Sequence, residues 1–408
     1  MISTVCYFGT YESGYERNRI LQAALRACGV RVLTVHAPLL EARRHKTGAL
    51  GRRLALAGLG ARALGAYARL AARYLAAPDH DAVFVGYLGH LDVLVAAPLA
   101  RLRGKPLIFD AFISLSDTLV EDRQVLAPGS LGARAAALLD RLACGLADVV
   151  LADTDAHARY FVEAHGAPPA RTLRVLVGAD PALFHPVAPP PPTVDFVVLH
   201  YSKLAPLHGL RTILEAAKRL EGEPGVRFLI VGEGQLDDAL SDWLAELAPA
   251  NVERRRWMEP DELRSALASA GAALGVFGAS AKAARVVPNK LYQAMAVGAP
   301  IVTADTPGVR EVLAHERDAL LVPPGDPEAL AAAILRLRDE APLRARLAAN
   351  ARARFEALAT PEAIGRALLD ELARVLPSEP ALTARRPCRS PDGSASARPS
   401  GTTARSPR

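Results

Sequence analysis

Two kinds of hydrophobic pattern alternate along the chain. Short runs rich in β-branched and aromatic residues are each followed by a longer Ala- and Leu-rich segment with helical periodicity. In the first half, the short runs that we interpret as strands cover residues 3–8, 31–36, 82–85, 106–110, 149–152 and 172–175. The helices predicted between them cover residues 17–28, 52–76, 91–102, 130–147 and 155–164. This alternation indicates a parallel sheet covered by helices.

A proline-rich stretch divides the chain. Five of the seven residues 186–192 are proline, which predicts a stiff linker over 187–193 that belongs to neither sheet. The alternation then resumes, with strands predicted at 195–201, 227–231, 251–254, 272–277 and 300–303 and helices at 210–220, 236–247, 260–268, 289–297 and 327–338. We therefore predict an α/β protein with Rossmann-like domains at 1–186 and 194–341. Helices over 342–376 are predicted to cross back to the first domain, and the tail 377–408 is predicted to be disordered.

Composition supports two folded domains and argues against several kinds of partner. The chain has 408 residues, of which 50% are hydrophobic and 23% charged. The net charge of +6 is modest, and no basic stretch is interleaved with aromatic residues, so we do not expect nucleic acid as a partner. Four scattered cysteines favour neither a metal site nor disulfides. Without a signal-peptide or membrane-spanning pattern, we expect a cytoplasmic protein that is at most peripheral at the inner face of the cell membrane.

The segment 277–302 carries the clearest chemical signal. A predicted strand ends in a loop that contains Lys282, Arg285 and Lys290, and a helix is predicted to begin near Asn289. Free backbone N–H groups, the helix dipole and the cations would all favour an anion such as a phosphate. The alternative is a solvated basic loop in front of an ordinary helix.

Several segments together resemble one enzyme family. The run Pro288-Asn289-Lys290-Leu291-Tyr292 and the segments 177–186, 203–210, 229–234, 307–313 and 321–330 are similar to motifs of the family-4 retaining glycosyltransferases, in the bacterial subgroup with a Pro-Asn-Lys-x-Tyr signature. The resemblance implies the GT-B fold, in which two Rossmann-like domains face each other across a cleft. It also implies transfer of a sugar from a nucleotide-diphosphate sugar to a hydroxyl acceptor, which is a glycan, a lipid-linked molecule or a small molecule.

The resemblance further implies roles for individual residues. The acceptor would bind in the first domain and the donor in the second, where Lys203 and Lys290 would clamp the diphosphate. These two catalytic cations would stabilise the charge on the leaving oxygen without a metal ion or another cofactor. Gly209 would let the backbone approach the phosphate, and Arg285 would add a third cation. The full set of implied donor-binding residues is Lys203, His208, Gly209, Gly232, Arg285, Asn289, Lys290 and Gln293.

The sequence departs from the family pattern at three positions. Arg285 and Gln293 stand where many relatives carry two glutamates, and Phe112 stands where they often carry a histidine. Gln293 can still accept a hydrogen bond from a ribose hydroxyl, whereas Arg285 cannot replace a carboxylate that receives sugar hydroxyls. These departures leave open an alternative, a catalytically silent GT-B module that binds a membrane surface or a partner protein. A nucleotide-sugar epimerase of the same fold would need paired carboxylates and histidines that we do not find.

Loops after the first-domain strands supply the remaining candidates. Asp110, a candidate catalytic carboxylate, and Asp117 follow a predicted strand, at the edge where open α/β sheets bind ligands. The alternative for Asp110 is a turn cap. His90 follows another strand and is either a cleft ligand or a structural histidine. The first strand-to-helix loop, which we predict to face the donor or acceptor, carries Tyr15, Glu16 and Arg17.

The segment 42–77 is basic throughout. It contains no acidic residue, and Leu and Ala separate its cations, which are Arg43, Arg44, Lys46, Arg52, Arg53, Arg62, Arg69 and Arg73. A basic amphipathic helix of this kind can lie on anionic lipid, where each cation adds about 1 kcal/mol. The alternative is a solvated outer helix that packs on its own sheet.

Overall fold

The computed structural model describes residues 2–39, 53–188 and 195–376. Three predicted regions fall wholly or partly outside these residues: the tail 377–408, positions 189–193 of the linker, and positions 42–52 of the basic segment.

The first half folds into a sheet of six parallel strands in the order β2-β1-β3-β4-β5-β6. The strands are β1 Thr4–Gly9, β2 Arg31–His36, β3 Ala82–Val85, β4 Leu107–Asp110, β5 Val149–Ala152 and β6 Thr172–Arg174. In β1, Tyr7 pairs with Thr34 of β2 on one side and with Phe84 of β3 on the other. Because successive side chains of a strand point to opposite faces, Phe8 enters one hydrophobic core and Tyr7 the other. The predicted strand ends differ from these by no more than one residue.

Helices cover both faces of this sheet. They are α1 Glu16–Ala27, α2 Arg53–Leu75, α3 His90–Leu102, α4 Leu131–Leu146 and α5 Asp155–His165, with a π-helical turn at Asp117–Asp122 between β4 and α4. Helices α2 to α5 pack on the face that contains Phe8, whereas α1 packs on the face that contains Tyr7. The side chain of Thr154 accepts a hydrogen bond from the His157 amide and so caps α5.

The second half repeats the architecture with a parallel sheet in the order β12-β11-β10-β7-β8-β9. Its strands are β7 Phe196–Tyr201, β8 Val226–Val231, β9 Val252–Arg255, β10 Ala272–Leu274, β11 Ile301–Ala304 and β12 Leu320–Val322. The direction of winding reverses between β7 and β10, as it does between β1 and β3 of the first sheet. Open α/β sheets bind ligands outside the carboxyl ends of the strands at such switch points.

The helices of the second half include two short ones that the hydrophobic pattern did not predict, α9 and α11. The series comprises α6 Leu210–Arg219, α7 Asp237–Leu247, α8 Pro260–Ser269, α9 Ala281–Arg285, α10 Asn289–Val297, α11 Pro307–Arg310, α12 Pro327–Asp339, α13 Ala341–Leu358 and α14 Pro361–Val375. Strand β12 was also not predicted, because three apolar residues are too few to show a period. In the described part of the chain, none of the helices combines the length and apolar character that a membrane crossing needs.

The last helix connects the two halves. Helix α13 packs on α10 and α12, whereas α14 packs on α1 at the opposite end of the chain. Of the two helices within the predicted crossing segment 342–376, α14 therefore packs on the first half and α13 mainly on the second. We call β1–β6 with α1–α5 and α14 the first lobe, and β7–β12 with α6–α13 the second lobe.

Candidate active site at the contact between the lobes

Lys290 is a buried cation at the start of a helix in the second lobe. Pro288 is extended (φ −71°, ψ 148°), and α10 begins at the next residue, which places Lys290 in the first helical turn. The side chain is only 6% exposed; its Nζ lies 3.3 Å from His208 Nδ1 and 3.4 Å from the Gly275 carbonyl oxygen. Among the described residues Lys290 forms no ion pair, and burial holds its pKa well below the ordinary value.

His208 links Lys290 to the loop after β7. Burial, followed by the neighbouring charge of Lys290, lowers the pKa of His208 well below its ordinary value, so the ring is neutral. His208 ends the short turn Pro206–His208, on the same loop as Lys203, whose side chain is exposed. The structure thus joins the predicted Lys203 loop and the predicted Lys290 helix through one imidazole.

The two glycines of the predicted donor site have a packing role. Gly209 adopts a left-handed conformation (φ 65°), and a Cβ there would lie 2.6 Å from the Phe277 carbonyl carbon and 2.7 Å from the Gly278 nitrogen. A Cβ on Gly232 (φ 138°) would clash with the Ser202 carbonyl oxygen. Both glycines therefore let backbone segments of the second lobe pack closely together; the approach of the Gly209 backbone to a phosphate stays a prediction.

A carboxylate of the first lobe reaches the α10 helix. Glu16 accepts hydrogen bonds from Asn289 Nδ2 at 2.9 Å and from Gln293 Nε2 at 2.9 and 3.1 Å. Gln293 Oε1 in turn accepts a 2.9 Å hydrogen bond from the Tyr201 hydroxyl. Burial raises the pKa of Glu16 above its ordinary value, although the amides of Gln293 and Asn289 oppose this. Glu16 thus brings a carboxylate close to position 293, where the sequence has none.

Arg285 and Asp117 form an ion pair between the lobes. Arg285 Nη2 lies 2.8 Å from Asp117 Oδ1, and its guanidinium stacks 4.0 Å from the Tyr160 ring centroid. Close by, Lys282 Nζ donates to Thr118 Oγ1 at 2.6 Å. Two predictions are corrected here: Arg285 is not free to bind a phosphate, and Asp117 is not a free carboxylate of the cleft, because each is held by the other.

Arg17 and Asp110 form a second pair, which lies inside the first lobe. Arg17 is 1% exposed; its Nε and Nη2 donate to the Asp110 carboxylate at 2.9 and 2.8 Å, and its Nη1 donates to the Val175 and Leu176 carbonyls at 2.8 Å each. Asp110 is fully buried. The expectation of a catalytic Asp110 and a cleft-facing Arg17 is therefore wrong in this structure, and the turn-cap alternative for Asp110 is also replaced by the pair.

Aromatic residues line the first lobe near these pairs. The Tyr15 ring lies 4.4 Å from that of Tyr87, which lies 5.1 Å from Phe112. Phe112, at the position where relatives often have histidine, adopts a left-handed backbone (φ 45°) and lies 5.3 Å beneath the Arg17 guanidinium. Tyr15 is half-buried in this cluster, so the first loop lies at the contact between the lobes, with Glu16 as its polar group.

His90 has a structural environment. It is buried at the start of α3, with Nε2 3.1 Å from Asp140 Oδ1 and its ring against Phe109. Burial raises the pKa of Asp140, but His90 and the backbone amides of Leu115 and Ser116 outweigh it and lower the pKa to about 2. The structural alternative for His90 is therefore the one observed.

The sequence did not single out three residues of this contact: Tyr160, Tyr201 and Glu311. Glu311 of the second lobe accepts hydrogen bonds from the Asp155 and Ala156 amides at 2.7 and 2.9 Å, which caps α5 of the first lobe. The partners are far apart in sequence, so no local motif could have shown the pairing. Within the described ranges, no group of three or more His, Cys, Asp or Glu is placed to hold a metal ion.

Two family models match the chain, one for each lobe. The model described as "Glycosyl transferase 4-like domain" matches residues 17–178, and "Glycosyl transferases group 1" matches residues 195–340. The chain belongs to the family-4-type glycosyltransferases. The predicted family is confirmed at this level, and the match covers both the Arg17 and the Lys290 regions.

Curated relatives are similar to this chain over part of their length. A D-inositol 3-phosphate glycosyltransferase of Thermomonospora curvata is 29% identical over 235 residues, which is 50% of this chain and 52% of the relative. The amylovoran biosynthesis glycosyltransferase AmsK of Erwinia amylovora is 30% identical over 143 residues, 34% of this chain and 35% of the relative. The chain therefore spans about half or less of the curated relatives it matches.

Solved structures confirm the predicted GT-B fold. Anabaena HepE in complex with UDP-glucose has a TM-score of 0.63 and 18% identity, with 91% of this chain and 99% of HepE covered. Sucrose-phosphate synthase from Thermosynechococcus elongatus has a TM-score of 0.66 and 19% identity, with 92% of this chain and 99% of that chain covered. At these identities the comparison shows the fold.

Proposed function

We propose that the protein transfers a sugar from a nucleotide-diphosphate sugar to a hydroxyl acceptor. The observation that carries the proposal is Lys290, a buried amine in the first turn of α10 without an ion pair among the described residues. An unpaired buried cation is costly unless an anion joins it, and the amides and dipole of the helix end favour a phosphate at the same place. Family membership and the UDP-glucose complex of HepE support the same assignment.

In this proposal, binding of the donor diphosphate favours the protonated form of Lys290. Burial disfavours the ammonium form in the free protein, and a neighbouring anion favours it, so donor binding raises the pKa of Lys290. The neutral His208 accepts a hydrogen bond through Nδ1 and holds the ammonium in position. As the bond between sugar and phosphate breaks, the charge on the leaving oxygen meets a cation that is already oriented. Lys203, exposed on the neighbouring loop, completes the clamp.

In the proposal, the ribose of the donor binds next to the Glu16 carboxylate, close to Gln293. Glu16 and Gln293 are hydrogen-bonded to each other and lie within one α10 turn of Lys290. A ribose that enters there displaces the side-chain amides of Asn289 and Gln293 from Glu16. The ribose hydroxyls then donate hydrogen bonds to the Glu16 carboxylate in their place. The Glu16 carboxylate, supplied by the other lobe, thereby replaces the glutamate that this sequence lacks at position 293.

Retention of the anomeric configuration and independence of metal ions are part of the proposal. Cations and helix amides at the leaving group do the work that a metal ion would otherwise do. Peripheral membrane contact through the segment 42–77 is also proposed, since Arg62, Arg69 and Arg73 are exposed on α2. A protein held at the membrane in this way would meet lipid-linked acceptors.

The catalytically silent module is the second candidate. One observation favours it: Arg285 and Asp117 are engaged with each other across the lobes. A thermal-shift screen with UDP-, GDP-, ADP- and TDP-sugars, followed by a donor-hydrolysis assay, separates the two. We expect one class of nucleotide to raise the unfolding midpoint by roughly 5 °C at saturation and to be hydrolysed with retained configuration in the presence of EDTA. A screen without any shift or hydrolysis would favour the silent module.

A further inference from the structure

The outer surface of α4 is made of leucine and arginine. Leu131 is 84% exposed, and Leu138 and Leu142 are also exposed along the same side of the helix. Arg134 and Arg141 lie exposed among them. The single acidic residue of α4, Asp140, is buried and accepts hydrogen bonds from the hydroxyls of Ser114 and Ser116. The exposed side of α4 therefore carries positive charge and apolar surface without a carboxylate.

The neighbouring helices continue this surface. In α3, which packs beside α4, Leu91 and Leu102 are exposed together with Arg101, and the only acid, Asp92, is buried against Thr10. Helix α2 packs on the other side of α3 and has no acidic residue. We call the exposed side of these helices the α2–α4 face. Its members are Leu64, Leu75, Leu91, Leu102, Leu131, Leu138 and Leu142, with Arg62, Arg69, Arg73, Arg101, Arg134 and Arg141.

Other surfaces of the protein have a different composition. Seven of the ten large hydrophobic residues that are exposed in the described part of the chain lie on the α2–α4 face. Elsewhere, several exposed arginines pair with carboxylates, as Arg211 does with Glu215 and Glu246 in the second lobe. Among the described residues, none of the six arginines of the α2–α4 face forms an ion pair. The segregation of charge and apolar surface is thus a property of this face.

We infer that the α2–α4 face docks on the surface of an anionic lipid bilayer. A contiguous exposed apolar patch marks an interaction surface. Leucines at this density insert among acyl chains, and guanidinium groups without a carboxylate partner bind lipid phosphates. Charge complementarity selects an anionic bilayer, because all the exposed ionisable groups of the three helices have one sign. The inference rests on the membrane contact proposed for the segment 42–77, and helices α3 and α4 extend that surface well beyond the segment.

The surface lies on the side of the first sheet that faces away from α1 and α14. Helices α2 to α4 share the core that contains Phe8, whereas α1 and α14 share the core that contains Tyr7. The opposite side offers a matched control: Arg366 and Arg374 are exposed on α14 of the same lobe. Neither the α4 pair, Arg134 and Arg141, nor the α14 pair, Arg366 and Arg374, lies at the contact between the lobes around Lys290.

The test compares vesicle binding by the full-length R134Q/R141Q, L131S/L138S and R366Q/R374Q variants with the wild type. Co-sedimentation uses vesicles of phosphatidylcholine with phosphatidylglycerol, and vesicles of phosphatidylcholine alone. We expect the wild type and R366Q/R374Q to bind the anionic vesicles alike. We expect R134Q/R141Q to bind them about 25-fold more weakly, about fivefold for each cation removed, and L131S/L138S to lose most binding.

Several results would overturn the inference. Equal vesicle binding by the α4 variants and the wild type would show that this face does not dock, as would wild-type binding that is the same on neutral vesicles or absent. Light scattering without lipid is the second measurement. If the wild type is oligomeric in solution and the α4 variants are not, the α2–α4 face is a contact between copies of the chain, and the inference is wrong. Circular dichroism and unfolding midpoints equal to the wild type show that the variants are folded.

Discussion

Two buried basic residues, Arg17 and Lys290, differ in whether the protein supplies a partner for their charge. Arg17 has the Asp110 carboxylate and two backbone carbonyls as partners, so its charge is compensated within the first lobe. Lys290 has a neutral imidazole and one carbonyl. A perturbed, uncompensated group at the carboxyl end of a parallel sheet is where function is expected.

Replacing Lys290 by methionine should stabilise the free protein while it removes activity. Burial lowers the pKa of Lys290, so the native state releases its proton at a lower pH than the unfolded chain. The free energy of unfolding of the wild type therefore rises as pH increases from the native pKa toward about 10.4, and that slope should be absent in Lys290→Met. We expect a gain of about 1–3 kcal/mol near neutral pH. Thermal unfolding without ligand, from neutral pH to about pH 10, measures both effects.

Lys218 provides the control for this experiment. It is an exposed lysine of α6 that pairs with Glu221. Lys218→Met should leave both the midpoint and its pH dependence close to the wild type, because surface ion pairs contribute little. A Lys290→Met protein that is less stable than the wild type, with an unchanged pH slope, would show that the lysine is structurally satisfied.

Secondary-structure elements were predictable because their signals are local. The period of apolar residues located all six strands of the first sheet, and the proline run separated the two sheets. Contacts between elements were not predictable, because they join distant residues: Glu16 meets Asn289 across 273 positions. The predicted roles of Asp110, Asp117 and Arg285 failed for this reason, since each charge has an ion-pair partner that no sequence pattern indicates.

The contact of α14 with α1 depends on one glycine. A Cβ on Gly365 would clash with the Ala24 carbonyl oxygen and lie 2.7 Å from Cys28 Sγ. Gly365→Ala should therefore destabilise the protein by about 1–3 kcal/mol, despite the higher helix propensity of alanine. The midpoint of unfolding in urea measures the change. Gly145→Ala on α4 is the control, because a Cβ there meets no atom within 4 Å, and it should be neutral or slightly stabilising.

The whole molecule places its candidate site where the carboxyl ends of two sheets meet. The Lys203 loop and the Lys290 helix are joined by His208, and Glu16 reaches the same helix from the first lobe. This part of the site could be predicted, because the Pro-Asn-Lys-x-Tyr run and the basic loop are contiguous motifs. The ion pairs that hold the lobes together, and the leucine-rich α2–α4 face, required the three-dimensional arrangement.

The central claim is that Lys290 binds the diphosphate of a nucleotide-sugar donor. Calorimetric titration of the wild type, Lys290→Met and Lys218→Met with the nucleoside diphosphate that stabilises the protein most in the thermal screen tests it directly. We predict that Lys218→Met binds like the wild type and that Lys290→Met binds about a hundredfold more weakly, because one charge-assisted contact to the phosphate is lost. A folded Lys290→Met protein with wild-type affinity would contradict the claim.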